Sequence, residues 1–356
     1  MDTEGWMGDR LLVTGGAGYI GAVLVPMLLD RGYDVRILDR LFWGTTPLEP
    51  VLSEVELIEG DVRRLPAGLL DGVTGVVHLA GLSNDPTADF APQANWRMNA
   101  EATAALADEC AKRGIQRFTF GSSCSVYDSL PSGVVYDEDA SLTPRGAYAS
   151  SKAAAEEYLL ERVSADFRPT LLRQGTVYGL SPRMRFDLVV NTFVRDALTK
   201  GALMLHGGGL MHRPLVDIVD VAEAHIRCLE APIERVGGRV FNVLERNYRI
   251  AELARDVQGT LAERGIEVEL RDAPLPPIVR EYQCSNERLA EATGFRPGRT
   301  LHAVLPSIIE YCQEQVTSFD DPWYYNIDWL TPRREELESA LLPEEAAGEL
   351  EAEAVG

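Results

Sequence analysis

Tyr148 and Lys152 stand four residues apart in Tyr148-Ala-Ser-Ser-Lys152. That spacing puts both side chains on one face of a helix. A free phenol has a pKa of about 10 and is a poor base at neutral pH. A neighbouring ammonium, joined by a positive charge on a bound cofactor ring, would stabilise the phenolate and bring it into range. Such a phenolate can take the proton of an alcohol while hydride leaves the same carbon. A second hydroxyl comes from Gly121-Ser-Ser-Cys-Ser-Val-Tyr127, just after an apolar strand. Strand C-termini in parallel sheets face the ligand crevice, so a serine there can hydrogen-bond the reacting oxygen. Without that serine turn, the Tyr/Lys pair reads equally well as an ordinary surface helix pair.

Hydride chemistry needs a carrier. Thr14-Gly-Gly-Ala-Gly-Tyr-Ile-Gly21 follows the first apolar strand and opens a helix. It satisfies G-x-G-x-x-G from Gly16 and the wider spacing Gly15, Gly18, Gly21. Glycines permit the tight turn and the close approach of a pyrophosphate, and the helix N-terminus offers free N–H groups to it. Asp39 ends the second strand 18 residues after Gly21. A carboxylate there can accept the 2′-hydroxyl of the adenosine ribose. It repels a 2′-phosphate, so NAD is the expected cofactor, with NADP kept open by the adjacent Arg40.

These residues need elements to hold them. Apolar runs at 10–14, 35–38, 55–58, 76–79, 118–120 and 170–173 read as strands, and 20–31, 99–113 and 148–164 as helices. Strict alternation implies a parallel sheet covered on both faces. After Gly179 the pattern loosens into shorter elements broken by Pro182, Gly207-Gly-Gly209 and Pro214. The expected class is therefore α/β: a Rossmann-type doubly wound parallel sheet with a smaller C-terminal substrate-binding domain. Residues 9–179, joined by 214–246, would form the first part, and 180–213 with 247–330 the second. The stretch 333–356, with eight glutamates and two arginines, reads as a solvated acidic tail.

Composition narrows the function. The chain has 356 residues, 46% of them hydrophobic, and a net charge of −21. That charge disfavours nucleic-acid binding, which needs a basic surface. No run approaches the roughly 20 apolar residues of a membrane span, and the N-terminus has no apolar segment of a secretory signal. Five scattered cysteines without a C-x-x-C pair read as reduced thiols of a cytoplasmic protein. The five histidines show no ligand spacing, so no metal is expected.

Taken together, the residues resemble the NAD-dependent epimerase/dehydratase family, the extended short-chain dehydrogenases/reductases. The likeness rests on the glycine loop, Asp39, Gly60-Asp-Val62, His78-Leu-Ala-Gly81, Asn99, the serine turn, Tyr148/Lys152, Val177-Tyr-Gly179, the stretch 212–220, Phe241-Asn-Val243 and the stretch 285–297. The resemblance implies that Tyr148 is the general base, Lys152 holds the nicotinamide ribose and tunes it, and Ser123 is the catalytic hydroxyl. It implies cofactor contacts at Gly15, Gly18, Tyr19, Ile20, Gly21, Asp39, Arg40, Asp61, Val62, Leu79, Ala80, Gly81, Asn99 and Lys152. It implies a nucleotide-diphosphate sugar held by Ser123, Cys124, Ser125, Tyr148, Arg213 and Arg280, the two arginines on the diphosphate. Arg183 and Arg185 are further candidates unless their loop is solvated. A homodimer through the helices at 99–113 and 148–164 is also implied.

The two residues after Ser123 bear on the reaction. The family's 4,6-dehydratases carry Asp-Glu there, and its decarboxylases a Glu at the second place. Here Cys124 and Ser125 supply no carboxylate. The 3,5-epimerases carry Cys at the second place, one residue later than Cys124, which is read instead as a small pocket-wall residue. What remains is proton and hydride transfer. The leading reading is C4 epimerisation of a sugar nucleotide through a transient 4-keto sugar. The alternative is a reductase or dehydrogenase with net redox change. A non-catalytic dinucleotide sensor would have no use for a tuned phenol. His206 and His212 are expected to line or cap the sugar pocket, and Trp323, Tyr324, Tyr325 and Trp329 to pack the C-terminal segment onto the body.

Overall fold

Strands buried on both faces must be apolar throughout, and the strand Arg10–Thr14 shows why. Leu12 points into one hydrophobic cluster, while Leu11 and Val13 point into another, as the two-residue period of a strand requires. The first cluster is completed by helices Ala102–Lys112 and Ala147–Glu161, the second by Gly21–Leu29 and Ile218–Glu230. The result, in a computed structural model that describes residues 8–275 and 280–339, is a seven-stranded sheet with helices on both faces.

Its order is Arg239–Val243, Arg168–Gln174, Arg117–Ser123, Val73–His78, Arg10–Thr14, Asp34–Asp39, Glu56–Glu59, and every pairing is parallel. Strand order reverses beside Arg10–Thr14, and such switch points open a crevice at the strand C-termini. Smaller sheets lie over that end. Thr176–Tyr178, His212–Asp217 and Arg246–Arg249 form one, and Ala202–His206 with Glu269–Ala273 another. They share a core with helices Val189–Lys200, Ile250–Ala262 and Leu301–Glu314.

The predicted helix at 99–113 begins with a π turn, Arg97–Glu101. Such turns often mark functional positions. Here it turns Asn99 inward, where its side chain accepts from Leu82 N and donates to Leu82 O, both at 2.9 Å.

The C-terminal segment departs from the solvated reading. Helix Arg334–Ser339 lies on the body with Leu337 buried among Leu82, Ala94 and Met98. Arg63 donates to Leu337 O at 2.9 Å, and Arg40 pairs with Glu336 at 2.6 Å. The aromatic run does pack: Trp43 Nε1 donates to Trp323 O at 3.1 Å and Trp329 Nε1 to Phe42 O at 2.7 Å. Residues 1–7, 276–279 and 340–356, including most of the acidic tail, lie outside the described residues.

Two histidines are buried in the sheet region. His78 sits between the hydroxyls of Thr14 (2.6 Å) and Thr103 (2.8 Å), and His225 between Thr119 (2.9 Å) and Gln174 (3.0 Å). Burial lowers both to about 3 from 6.5. A depressed folded pKa means stability that is present above pH 6.5 and lost as pH falls toward 3. At pH 5 each imidazole costs about 2 kcal/mol. The variant His225→Gln, whose amide can meet the same partners, is expected to lose about 2 kcal/mol less than the parent between pH 7 and pH 5. Urea unfolding at the two pH values checks this, and equal losses would contradict it.

Candidate active site

One cavity of about 340 Å³ occupies the crevice at the switch point. Its cofactor half is built by the glycine loop. Gly15 has φ +77°, and a Cβ there would lie 2.8 Å from the Ala80 nitrogen. A Cβ on Gly21 would lie 2.6 Å from the Gly16 Cα. Both positions therefore need glycine, Gly15 for the approach of the 79–80 segment and Gly21 for the helix start to close on the loop. Gly15, Gly18, Tyr19, Ile20, Gly21, Asp39, Arg40, Val62, Leu79, Ala80 and Gly81 all reach the cavity wall. Asp39 accepts from Ala17 N at 3.0 Å and Leu41 N at 2.8 Å, while burial raises its pKa.

Arg40 is not free to take a phosphate. Its guanidinium is shared between Asp61 (2.5 Å) and Glu336 (2.6 Å). With Asp39 beside it, this end suits an unphosphorylated ribose. The cradle thus fits NAD: a glycine loop open to a pyrophosphate and a carboxylate for the 2′-hydroxyl.

Three expected cofactor residues stand behind the wall. Asp61 is gripped by Arg63 (2.6 Å) and Arg40, and these arginines hold its carboxyl below the usual range against the penalty of burial. Asn99 holds the 81–82 turn from below. Lys152 donates to Gly121 O at 2.8 Å and lies over the Phe120 ring. Burial brings it down to about 8.

In the reaction half, Ser123, Ser125 and Tyr148 reach the same cavity. Tyr148 is carried by helix Ala147–Glu161, Ser123 by the end of strand Arg117–Ser123. The phenol is pushed up to about 12. Burial is the main cause, the Ser123 hydroxyl bond opposes it, Asp85 adds to it and Arg185 opposes it. Lys152 Nζ meanwhile donates to Gly121 O from behind the wall.

Cys124 corrects the sequence reading outright. The 3-10 turn Cys124–Tyr127 sends Ser123 and Ser125 to the cavity and Cys124 behind them. Cys124 is fully buried, donates to Arg173 O at 3.1 Å, and packs with Tyr127, Leu244 and Cys284. It is not a wall residue. His206 and His212 are not on the wall either; they bond Pro274 O (2.8 Å) and Glu281 (3.1 Å).

The arginines separate into two kinds. Arg213, Arg280, Arg183 and Arg185 all reach the cavity. Arg280 is paired with Asp85 and with Asp128 (3.2 Å), and Arg185 with Asp187 (2.8 Å). Arg213 has no carboxylate partner among the described residues: it donates to the Arg280 and His212 carbonyls and stacks over Tyr282. Ser125 Oγ, on the cavity wall, is buried without a partner among the described residues, as befits a group that meets a ligand.

Sequence reasoning missed two features. Glu156, four residues beyond Lys152 on the same helix, accepts from Ser122 Oγ at 2.5 Å and from Arg173 at 2.6 Å, which itself donates to Tyr127 Oη at 2.6 Å. This buried network fixes the serine turn, and the repeated four-residue spacing was its visible signal. Asn326 and Leu330 of the C-terminal segment also form cavity wall, and no local motif marks them. Among the described residues, no group of three His, Cys, Asp or Glu is placed to hold a metal.

Comparison with known proteins agrees with this geometry. A model of the NAD-dependent epimerase/dehydratase family matches residues 11–243. A UDP-glucose 4-epimerase of Corynebacterium glutamicum is 28% identical over 321 residues, 85% of this chain and 94% of that protein. One from Azospirillum brasilense is 31% identical over 277 residues, 71% of this chain and 77% of that protein. The solved Thermus thermophilus UDP-glucose 4-epimerase complex with NAD is similar at a TM-score of 0.74 and 28% identity, covering 86% of this chain and 100% of that one. The chain belongs to the NAD-dependent epimerase/dehydratase family, and NAD is its cofactor.

Proposed function

We propose that this protein is a nucleotide-sugar C4 epimerase, with UDP-glucose the first substrate to try. The observation that carries the reading is the pairing of Ser123 and Tyr148 in one cavity, where the wall carboxylate acting on the phenol, Asp85, is tied to Arg280. Elimination of water or loss of carbon dioxide calls for a free acid or base beside the hydroxyl pair, and positions 124 and 125 supply none. The glycine loop and Asp39 would hold NAD, which would supply a hydride acceptor and donor to the sugar carbon.

The protein's own residues do the rest. Tyr148 Oη takes the proton of the 4-hydroxyl and later gives it back. Ser123 Oγ hydrogen-bonds the same oxygen and keeps it in line with the phenol. Lys152, cationic below about pH 8, orients the ribose from behind the wall. Arg213, a cation without a carboxylate partner among the described residues, takes the substrate diphosphate. Ser125 Oγ is available to a sugar hydroxyl. Arg280 braces Asp85 and Asp128 in place of the diphosphate role the resemblance implied.

Asn326 and Leu330 of the C-terminal segment line the same cavity, which suits a cofactor kept through a closed redox cycle and so favours epimerisation over a reductase. Accordingly, the purified protein should convert UDP-glucose into its C4 epimer with no NAD added, as read by NMR of the sugar. Turnover that depends on added NAD or NADH in stoichiometric amounts would favour the reductase instead.

Two features of setting belong to the same reading. Exposed Trp96, Leu160 and Val163 suit a homodimer through the helices around them. Five buried free thiols suit the reducing cytoplasm, and no described helix is long and apolar enough to cross a membrane.

A further inference from the structure

Arg183 is fully buried on the cavity wall, and it forms no ion pair among the described residues. Its protein acceptors are the Met184 carbonyl at 3.2 Å and Asn326 Oδ1 at 2.6 Å, two partners for five N–H groups. Its guanidinium lies 4.0 Å over the Trp43 ring and 5.9 Å from that of Trp323. Burial and the neighbouring Arg185 cation hold its pKa well below the ordinary arginine value. A buried cation is costly until an anion answers it. Arg185 has Asp187 and Arg280 has Asp85 and Asp128. Arg183 and Arg213 are left, and they stand at different stations, Arg213 beside Tyr282 and the Arg280 carbonyl.

We propose that Arg183 is the counter-cation of the cofactor pyrophosphate, held ready by the C-terminal segment. The chemistry it recognises is a diphosphate, and this cavity has two sources of one, cofactor and substrate. Its surroundings belong to the cofactor half. Ser181 Oγ donates to Tyr19 O in the glycine loop at 2.7 Å and accepts from Arg183 N at 3.2 Å. Trp43 follows Asp39 by four residues and is tied to Trp323. Asn326 also donates to Ser83 Oγ at 3.2 Å, beside the 79–81 turn that faces Gly15. Asn326 and the two tryptophans therefore hold the guanidinium on the wall of the cofactor half, with Tyr19 of the glycine loop lining the same cavity, and bidentate arginine is the side chain best matched to a diphosphate. The proposal rests on dinucleotide binding and not on which reaction follows.

The test uses the purified full-length protein with its bound NAD. Exchange of that NAD for isotopically labelled NAD is followed by mass spectrometry, and UDP binding to the same samples by calorimetry. Arg183→Gln is expected to speed NAD exchange about 10- to 100-fold, the equivalent of one charge-assisted hydrogen bond at about 1.4 kcal/mol per tenfold, with UDP affinity unchanged. Arg183→Lys should recover part of the loss. Weakened UDP binding with unchanged NAD exchange would overturn the proposal and give Arg183 to the substrate. No change in either would overturn it and leave Arg183 as packing between aromatic rings. Should Arg183→Gln fail to fold, Asn326→Ala decides. It removes one acceptor and is expected to speed exchange about 2- to 10-fold, and unchanged exchange overturns the proposal.

Discussion

Replacing Tyr148 with phenylalanine is expected to lower kcat by about 100- to 10,000-fold, the usual contribution of a positioned proton acceptor, while fold and cofactor content stay as they are. Only the Oη atom is lost, and the ring keeps its place on helix Ala147–Glu161. The size of the effect follows from where the phenol sits. Burial drives it up to about 12, and Ser123 and Arg185 are the groups that pull it down. A raised folded pKa means the neutral phenol dominates at pH 7, so the reactive phenolate becomes more abundant as pH rises. The parent enzyme should gain rate with pH along a limb that Tyr148→Phe lacks. Pre-steady-state rates from about pH 6 to about pH 8, where Lys152 keeps its charge, check this for both proteins. Near-normal turnover in Tyr148→Phe would remove the phenol from the chemistry.

Glu156→Gln is expected to destabilise the protein by about 3 to 5 kcal/mol, the cost of leaving one member of a buried ion pair uncompensated. Arg173 and Glu156 are 4% and 3% exposed and lie 2.6 Å apart. Removing the carboxylate charge strands the guanidinium, whose remaining partners are Tyr127 Oη and the Glu138 carbonyl. It also weakens the bond to Ser122. The serine turn should loosen, and kcat should fall together with stability. The double variant Glu156→Gln/Arg173→Met removes the stranded charge and should recover part of the stability. Urea unfolding of the three proteins measures this, and a loss under about 1 kcal/mol in the single variant would contradict a tight buried pair.

Much of this architecture is legible in the amino-acid sequence alone. The strand at 10–14 and the glycine loop announce themselves through short-range rules: an apolar run, a turn that only glycine closes, and a helix start. The Ser123 and Tyr148 hydroxyls meet because both lie at element ends facing one crevice, which sheet topology dictates. Cys124 shows the limit of spacing arguments. A 3-10 turn rotates neighbours by about a third of a circle, so a residue flanked by two wall serines need not reach the wall. Arg280 shows another limit, since its pairing with Asp85 spans 195 residues and no local pattern reports it. The C-terminal segment is misread in part for the same reason. Its glutamate-rich composition suggests solvation, but Leu337 and Glu336 meet partners from the first third of the fold. The spacing of Lys152 suggests direct action on the phenol, yet the Gly121 carbonyl, 31 residues upstream, competes for its ammonium.

The central claim is that hydride leaves and returns at one sugar carbon within one cavity. UDP-glucose deuterated at C4 should be given to the purified protein with no NAD added, and the product examined by NMR. The expected product is the C4 epimer with deuterium still on C4. No epimer, or an epimer that has lost its deuterium, would contradict the claim.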